Sequence, residues 1–360
     1  MDLTTKLANM TLNNPLMPAS GPLVGTGEKI IALSKYNLGA LVTKTISAKV
    51  PDISRPFMQG EGNFIMNCEP WSEYDIEVWK NEFLPQVKKE TVQPLFVSLG
   101  YSDDDMRYLI PQVNEFADAY EISTHYVGKD LAPMKKTIKM IRSLTDKPVY
   151  MKVSPHFPSP IEFAEMVLDN GGNGIVAINS LGPSMKIDLA SRSVKIGNKD
   201  GQVWLSGPAI KPVALAFVNN VKRAVPECEI IGVGGVETAE DVIEFLLAGA
   251  NAVQMLSAAL LKGHELYGKI LKDLPSALEK YSFKSVEDVV NTELRVGNLT
   301  YEKAYPVFDA DACVLCGICE KVCPFFAISK DNGEMKADTQ KCMGCGLCRT
   351  RCPKKAISGV

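Results

Sequence analysis

The chain has 360 residues, with 39 Lys and Arg against 42 Asp and Glu, a formal net charge of −3. That balance, with no basic run and no aromatic-interleaved basic patch, excludes nucleic acid as the expected partner. No apolar stretch approaches the roughly 18 residues needed to cross a bilayer. The start, MDLTTKLANMTLNNPLMP, lacks a basic segment followed by an apolar one, so neither a membrane span nor a signal peptide is expected.

Short apolar runs alternate with longer segments of helical period through most of the chain. Strands are expected near Leu16–Ser20, Ala40–Lys44, Pro94–Leu99, Ala119–Ser123, Pro148–Val153, Gly174–Asn179, Glu229–Gly232 and Asn251–Leu256. Helices are expected over 129–145, 160–171, 209–225 and 238–249. Eight β/α steps over this length fit an α/β fold of the (β/α)8 TIM-barrel type better than an open sheet. The stretch 182–206, rich in Lys, Ser and Gly, is a long excursion after the sixth strand, readable as an active-site lid or as a plain surface loop. Residues 275–300 read as closing helices, and Thr300–Phe308 as a link to a small module. The expected domains are therefore 1–299 and 300–360.

The seventh strand runs into Gly232-Val233-Gly234-Gly235-Val236, and the eighth into Leu256-Ser257-Ala258. In barrels the loops after these two strands build a phosphate site, and residues without Cβ let backbone N–H groups close on phosphate oxygens. Taken alone, Gly-Val-Gly-Gly also reads as an ordinary tight turn. Lys44 and Lys152 close otherwise apolar strands, where a charge is costly to bury unless it is paired. Asn179-Ser180 ends the sixth strand in the same ring and can hydrogen-bond a heterocycle's carbonyls and nitrogens. His156 reads equally as a site residue or a loop histidine, and His264 as a surface residue of a helix. Cys68 and Cys228 have no motif spacing.

The other eight of the ten cysteines form two runs: Cys313, Cys316, Cys319, Cys323-Pro324 and Cys342, Cys345, Cys348, Cys352-Pro353. Each reads C-x2-C-x2-C-x3-C-P and resembles the ligand run of bacterial two-cluster ferredoxins, in which the fourth cysteine ligates the other cluster. The resemblance implies one 4Fe-4S cluster on Cys313, Cys316, Cys319 and Cys352, and a second on Cys342, Cys345, Cys348 and Cys323. Disulfides and zinc are the competing readings, disfavoured by the tandem spacing with its paired prolines. Thiolate-held clusters without an export signal point to a reducing cytoplasm.

Residues 1–295 resemble the dihydroorotate dehydrogenase family and its relative, the flavin domain of dihydropyrimidine dehydrogenase. The likeness is carried in order by Ala19-Ser20-Gly21, Val42-Thr43-Lys44, Met151-Lys152-Val153-Ser154-Pro155, Ile178-Asn179-Ser180, Gly207-Pro208-Ala209-Ile210-Lys211-Pro212 and Gly232 to Thr238. It implies an FMN-binding barrel, with phosphate on Gly234, Gly235 and Ser257 beside Leu256. The flavin ring would lie near Ala19, Ser20, Gly21, Lys44, Ser98, Lys152 and Gly207, with Asn179 and Ser180 facing flavin and substrate. One stretch departs. Where the family has Glu-Leu-Asn-Leu-Ser-Cys-Pro-Asn, this chain has Glu121-Ile122-Ser123-Thr124-His125-Tyr126-Val127-Gly128. Tyr126 stands at the position of the catalytic cysteine, and the amides a pyrimidine would use are gone. The loop after the second strand also differs, carrying Arg55, Asn63, Asn67 and Glu69 in an altered order.

The resulting expectation is an FMN and 4Fe-4S oxidoreductase acting on a CH–CH or C=C bond of a small, cyclic substrate. Lys44 would act in the site, with Tyr126 or His125 as the acid; Tyr126 also reads as an aromatic wall. Electrons would come from a ferredoxin or an NAD(P)H-oxidising flavoprotein partner, because no dinucleotide fingerprint is present. Two alternatives stay open: dihydropyrimidine or dihydroorotate turnover with Tyr126 in place of cysteine, and an electron-transfer subunit without its own substrate. The family resemblance also suggests a homodimer.

Overall fold

In the computed structural model, which describes all residues except Ile53, Pro70, Tyr101, His125, Val296, Asn298, Leu299 and Thr300, every one of the eight apolar runs forms a strand. They are β1 Leu16–Pro18, β2 Leu41–Val42, β3 Leu95–Leu99, β4 Ala119–Ser123, β5 Val149–Val153, β6 Gly174–Ala177, β7 Glu229–Val233 and β8 Ala252–Met255. All pair in parallel in the order β1-β8-β7-β6-β5-β4-β3-β2. The Gly39 N–H donates to the Leu16 carbonyl at 2.9 Å and brings β1 and β2 together. A Cβ on Gly39 would lie 1.9 Å from the Asn14 carbonyl oxygen, so that seam requires glycine. The fold is a TIM barrel.

Alternation along the strands explains the two cores. Met17, Val42, Phe96, Ala119, Tyr150, Val176, Ile231 and Ala252 fill the interior. The residues between them face the surrounding helices, among them Ala132–Arg142, Pro160–Asp169, Lys211–Ala224 and Ala239–Ala248. An N-terminal hairpin, Thr5–Leu7 with Met10–Leu12, adds Leu7 and Leu12 to the interior core. It bonds to the N-terminal ends of β7 and β8, through Ala8 N–H to Glu229 Oε1 and Thr5 Oγ1 to the Asn251 carbonyl. The opposite, C-terminal end is left for chemistry.

The excursion after β6 is not a plain surface loop, since strands form at both of its ends. Leu181–Ser184 and Val203–Ser206 join Phe64–Asn67 and Met58–Glu61 in a four-stranded antiparallel sheet. The two long insertions, after β2 and after β6, thus stabilise each other. Single-segment periodicity could not reveal a pairing so distant in sequence. The closing helices are Leu266–Lys280 and Val286–Val290, the first starting earlier than expected. His264 lies in the turn before it, its Nδ1 2.8 Å from the Tyr36 hydroxyl.

The chain divides at Leu294/Arg295 into two compact units. In the second, Val307–Phe308 pairs with Ile357–Ser358, and Ile328–Asp331 with Glu334–Ala337. Ile318–Lys321 and Leu347–Arg351 form single helical turns, each preceded by a left-handed glycine, Gly317 (φ 72°) and Gly346 (φ 75°). Ile328, Met335 and Ile357 pack with Cys319 and Cys348 in its core.

Candidate active site

A cavity of about 460 Å3 opens among the C-terminal strand ends and the insertions. That is within the range of small-molecule sites. Ser20, Gly21, Lys44, Lys152, Asn179, Ser180 and Leu256 of the expected set line it. Ala19 and Ser98 lie behind this lining, buried. Ser20 and Ser98 are linked by a residue the sequence analysis passed over: Thr45 Oγ1 lies 2.9 Å from Ser20 Oγ and 3.0 Å from Ser98 Oγ. The Ser98 N–H donates to Thr43 Oγ1 at 2.9 Å, which completes a hydroxyl chain across β1, β2 and β3.

Both strand-end lysines are buried and ion-paired. Lys44 Nζ lies 2.8 Å from Glu69 Oε1 and 2.7 Å from Glu73 Oε2, and the Lys44 and Glu69 side chains are each 3% exposed. Burial pushes the Glu69 carboxyl up to about 7, against the pull of Lys44. Burial also acts to raise Glu73, but the hydrogen bond and charge of Lys44 hold it below its ordinary value overall. Lys152 Nζ donates to Glu121 Oε1 at 3.0 Å, and Gln254 Nε2 donates to Glu121 Oε2 at 2.7 Å. Glu121 and Gln254 have no solvent exposure. Neither was singled out by sequence, although alternation places Glu121 on the inward face between Ala119 and Ser123.

The insertions supply the rest of the wall. Asn67 and Trp204 are directly opposite on neighbouring strands, and both line the cavity with Trp71, Glu69 and Asn198. The segment carrying Glu69 and Trp71 is tied to the barrel through Ser72. Its N–H donates to the Thr45 carbonyl, and its hydroxyl accepts from Trp79 Nε1 at 2.8 Å.

The glycine rim converges as well. Gly234 and Gly235 follow β7 with φ of 134° and 75°, and Gly207 has φ of 129°. A Cβ on Gly235 would lie 2.7 Å from the Gly207 carbonyl oxygen. Ser257 opens the helix Ser257–Lys262 directly after β8.

Tyr126, the described catalytic candidate after β4, does not line this cavity. The Tyr126 hydroxyl donates to the Asp130 carbonyl, and the residue lines a separate groove with Asp103, Thr124 and Met134. Its ring packs against Phe157, centroids 6.3 Å apart. His125 lies outside the described residues. His156 is exposed and does not line the cavity.

In the second unit the cysteines gather in two crossed sets. One concavity is lined by Cys313, Cys316, Cys319 and Cys352, the other by Cys342, Cys345, Cys348 and Cys323. Among the described residues no disulfide joins any of the ten cysteines. Among the described residues no three His, Cys, Asp or Glu side chains converge as ligands of a single ion would. Among the same residues no helix is long and apolar enough to cross a membrane.

The dihydroorotate dehydrogenase family profile matches residues 2–278, and the 4Fe-4S dicluster domain profile matches 305–354. The catalytic subunit of dihydroorotate dehydrogenase B (NAD(+)) from Methanothermobacter thermautotrophicus is 31% identical over 300 residues, covering 80% of this chain and 97% of that protein. Dihydroorotate dehydrogenase A (fumarate) from Limosilactobacillus reuteri is 33% identical over 308 residues, covering 80% and 96%. The Pyrococcus furiosus catalytic subunit of the B type is 29% identical over 325 residues, covering 82% and 100%. The first profile implies FMN, and the second implies 4Fe-4S iron–sulfur chemistry. The chain belongs to the dihydroorotate dehydrogenase family, an oxidoreductase barrel joined here to a C-terminal 4Fe-4S dicluster domain.

Proposed function

We propose that the chain is an FMN- and iron–sulfur-dependent oxidoreductase acting on a CH–CH or C=C bond of a small cyclic molecule. The observation that carries this reading is the polar ring at the C-terminal strand ends, where Lys44, Lys152, Asn179 and Ser180 line one cavity. The residues fit FMN in two further ways. Gly207, Gly234 and Gly235 hold positive-φ backbone packed too closely for a Cβ at Gly207 or Gly235, a turn whose N–H groups would close on a phosphate, with Ser257 following β8. Gln254 Oε1 is buried without a hydrogen-bond partner, below the site.

When bound, FMN supplies hydride transfer at the substrate carbon. The chain's own part is to hold and orient. The Ser20 and Thr45 hydroxyls, held from behind by Ser98, and the Asn179 amide present polar groups to the cavity, and the paired lysines fix charge at its wall. Trp71 and Trp204 exclude water from one side. A pure electron carrier has no use for such a wall, which favours an enzyme.

Two 4Fe-4S clusters, on the two crossed cysteine sets, are proposed to exchange electrons with FMN and with a ferredoxin or an NAD(P)H-oxidising flavoprotein partner. The name of the B-type relatives, a catalytic subunit, supports a partner subunit. A homodimer in the cytoplasm completes the reading.

Anaerobic purification tests it. The expected preparation carries one FMN and about eight irons per chain. Dithionite-reduced flavin should then be reoxidised by some members of a panel of cyclic unsaturated compounds. FAD in place of FMN, or a reduced flavin that no such compound reoxidises, counts against the assignment.

A further inference from the structure

We infer that the cavity takes an uncharged unsaturated ring and rejects carboxylate-bearing ones, a reading that rests on the oxidoreductase assignment above. Both cations that line the cavity are already committed to carboxylates. Lys44 Nζ sits between Glu69 at 2.8 Å and Glu73 at 2.7 Å, while Lys152 Nζ is 3.0 Å from the fully buried Glu121. No arginine lines the cavity among the described residues.

Two cations therefore face three carboxylates. Burial pushes the Glu69 carboxyl up to about 7, and even in its protonated form the balance holds no positive excess. A substrate carboxylate entering here would leave water without a counter-ion, and burying an unpaired charge costs several kcal/mol. To reach Lys44 it would have to displace a carboxylate that is itself buried.

The remaining wall suits a neutral guest. Trp71 and Trp204 offer aromatic surface, and Asn67, Asn179 and Asn198, whose side-chain oxygens accept backbone N–H bonds of their own chain, bring amide groups suited to ring carbonyls without adding a charge. Asn67 and Trp204 share one face as cross-strand neighbours, so an aromatic wall and an amide act on the same guest. The substrate class is a planar, uncharged ring carrying carbonyl or lactam groups. The dihydroorotate of the relatives' names carries a carboxylate and falls outside it.

Sulfite is a small anionic probe that adds reversibly to oxidised flavin and bleaches it, more tightly where positive charge is available. It needs no knowledge of the substrate. The flavin-loaded full chain is expected to bleach only at high sulfite concentration. Glu69→Gln/Glu73→Gln, which frees Lys44, should tighten sulfite binding by about tenfold or more. Glu73→Gln alone, at a half-exposed position, should move in the same direction by less and serves if the double variant does not retain flavin. Tight sulfite bleaching of the unaltered protein, or no tightening in either variant, overturns the inference. So does reoxidation of the reduced flavin by a carboxylate-bearing ring where its methyl ester is inert; the ester is the expected oxidant of such a pair. A chain that purifies without flavin fails at the earlier step, and its missing visible flavin absorption tells the two failures apart.

Discussion

Lys152 and Glu121 form an ion pair at 3.0 Å inside the barrel, and Glu121 passes the contact on to Gln254 at 2.7 Å across the interior. The three residues belong to β5, β4 and β8, so one polar layer ties non-adjacent strands together. Removing one member leaves the other charge buried without compensation. Glu121→Ala should therefore destabilise the barrel by about 3–5 kcal/mol in denaturant unfolding. Glu121→Leu/Lys152→Met, which removes both charges, should cost clearly less than the two single changes added together. Additive losses would mean that the pair contributes nothing as a pair.

The crossing of the cysteine sets makes a prediction that a simple iron count does not. Cys352 lines the concavity of the first run and Cys323 that of the second. Cys316→Ser/Cys352→Ser should lose about four irons, no more than Cys316→Ser alone, because both act on one cluster. Cys345→Ser/Cys352→Ser should lose about eight, because the two act on different clusters. Iron and sulfide analysis after anaerobic reconstitution decides, and the reverse pattern would mean that each run keeps its own fourth cysteine.

The barrel was legible because its strands are short apolar runs bounded by turns, and the cysteine module because its spacing is local. The strand-end lysines were legible for a similar reason: a charge closing Leu41-Val42-Thr43 or Val149-Tyr150-Met151 stands out against its neighbours. Their carboxylate partners were not. Glu69 and Glu73 lie far along an irregular insertion, and nothing in the sequence ties them to Lys44. Trp204 was hidden likewise, since its place depends on Val203–Ser206 pairing with Phe64–Asn67 across more than a hundred residues. Tyr126 was placed by family register, and its ring direction depends on the Asp130 carbonyl, which no pattern reports.

Glu69 gives the barrel a pH signature. Its folded value near 7 lies above the ordinary 4.5, so its contribution to stability is present in full below about 4.5 and is lost as pH rises through 7. Glu73, held low by Lys44, acts in the opposite sense: its contribution is present above its ordinary value and lost as pH falls. Glu69→Gln mimics the protonated form at every pH. Wild-type stability minus that of the variant should fall between pH 5 and 8, by on the order of 2 kcal/mol. Tryptophan fluorescence in urea reads this out, since Trp71, Trp79 and Trp204 all belong to the barrel unit. A difference that stays flat across that range would mean that Glu69 ionises in the folded protein as it does in water.

Tyr126→Phe tests the position at which this chain departs from its family. The change removes one hydroxyl and keeps the ring against Phe157. In the structure that hydroxyl is spent on the Asp130 carbonyl, in a groove distinct from the cavity lined by Lys44 and Lys152. Loss of one such hydrogen bond should lower stability by about 1 kcal/mol. Reoxidation of reduced flavin by substrate should change less than about threefold, whereas loss of a positioned acid would slow it by about 10²-fold or more. Glu69→Gln gives the contrast, since that carboxyl lines the cavity and holds a proton near neutrality. If Tyr126→Phe is crippled in substrate turnover while flavin reduction by the protein donor is normal, the loop after β4 must swing its hydroxyl from Asp130 into the cavity when substrate binds. The acid would then sit where the family keeps its cysteine.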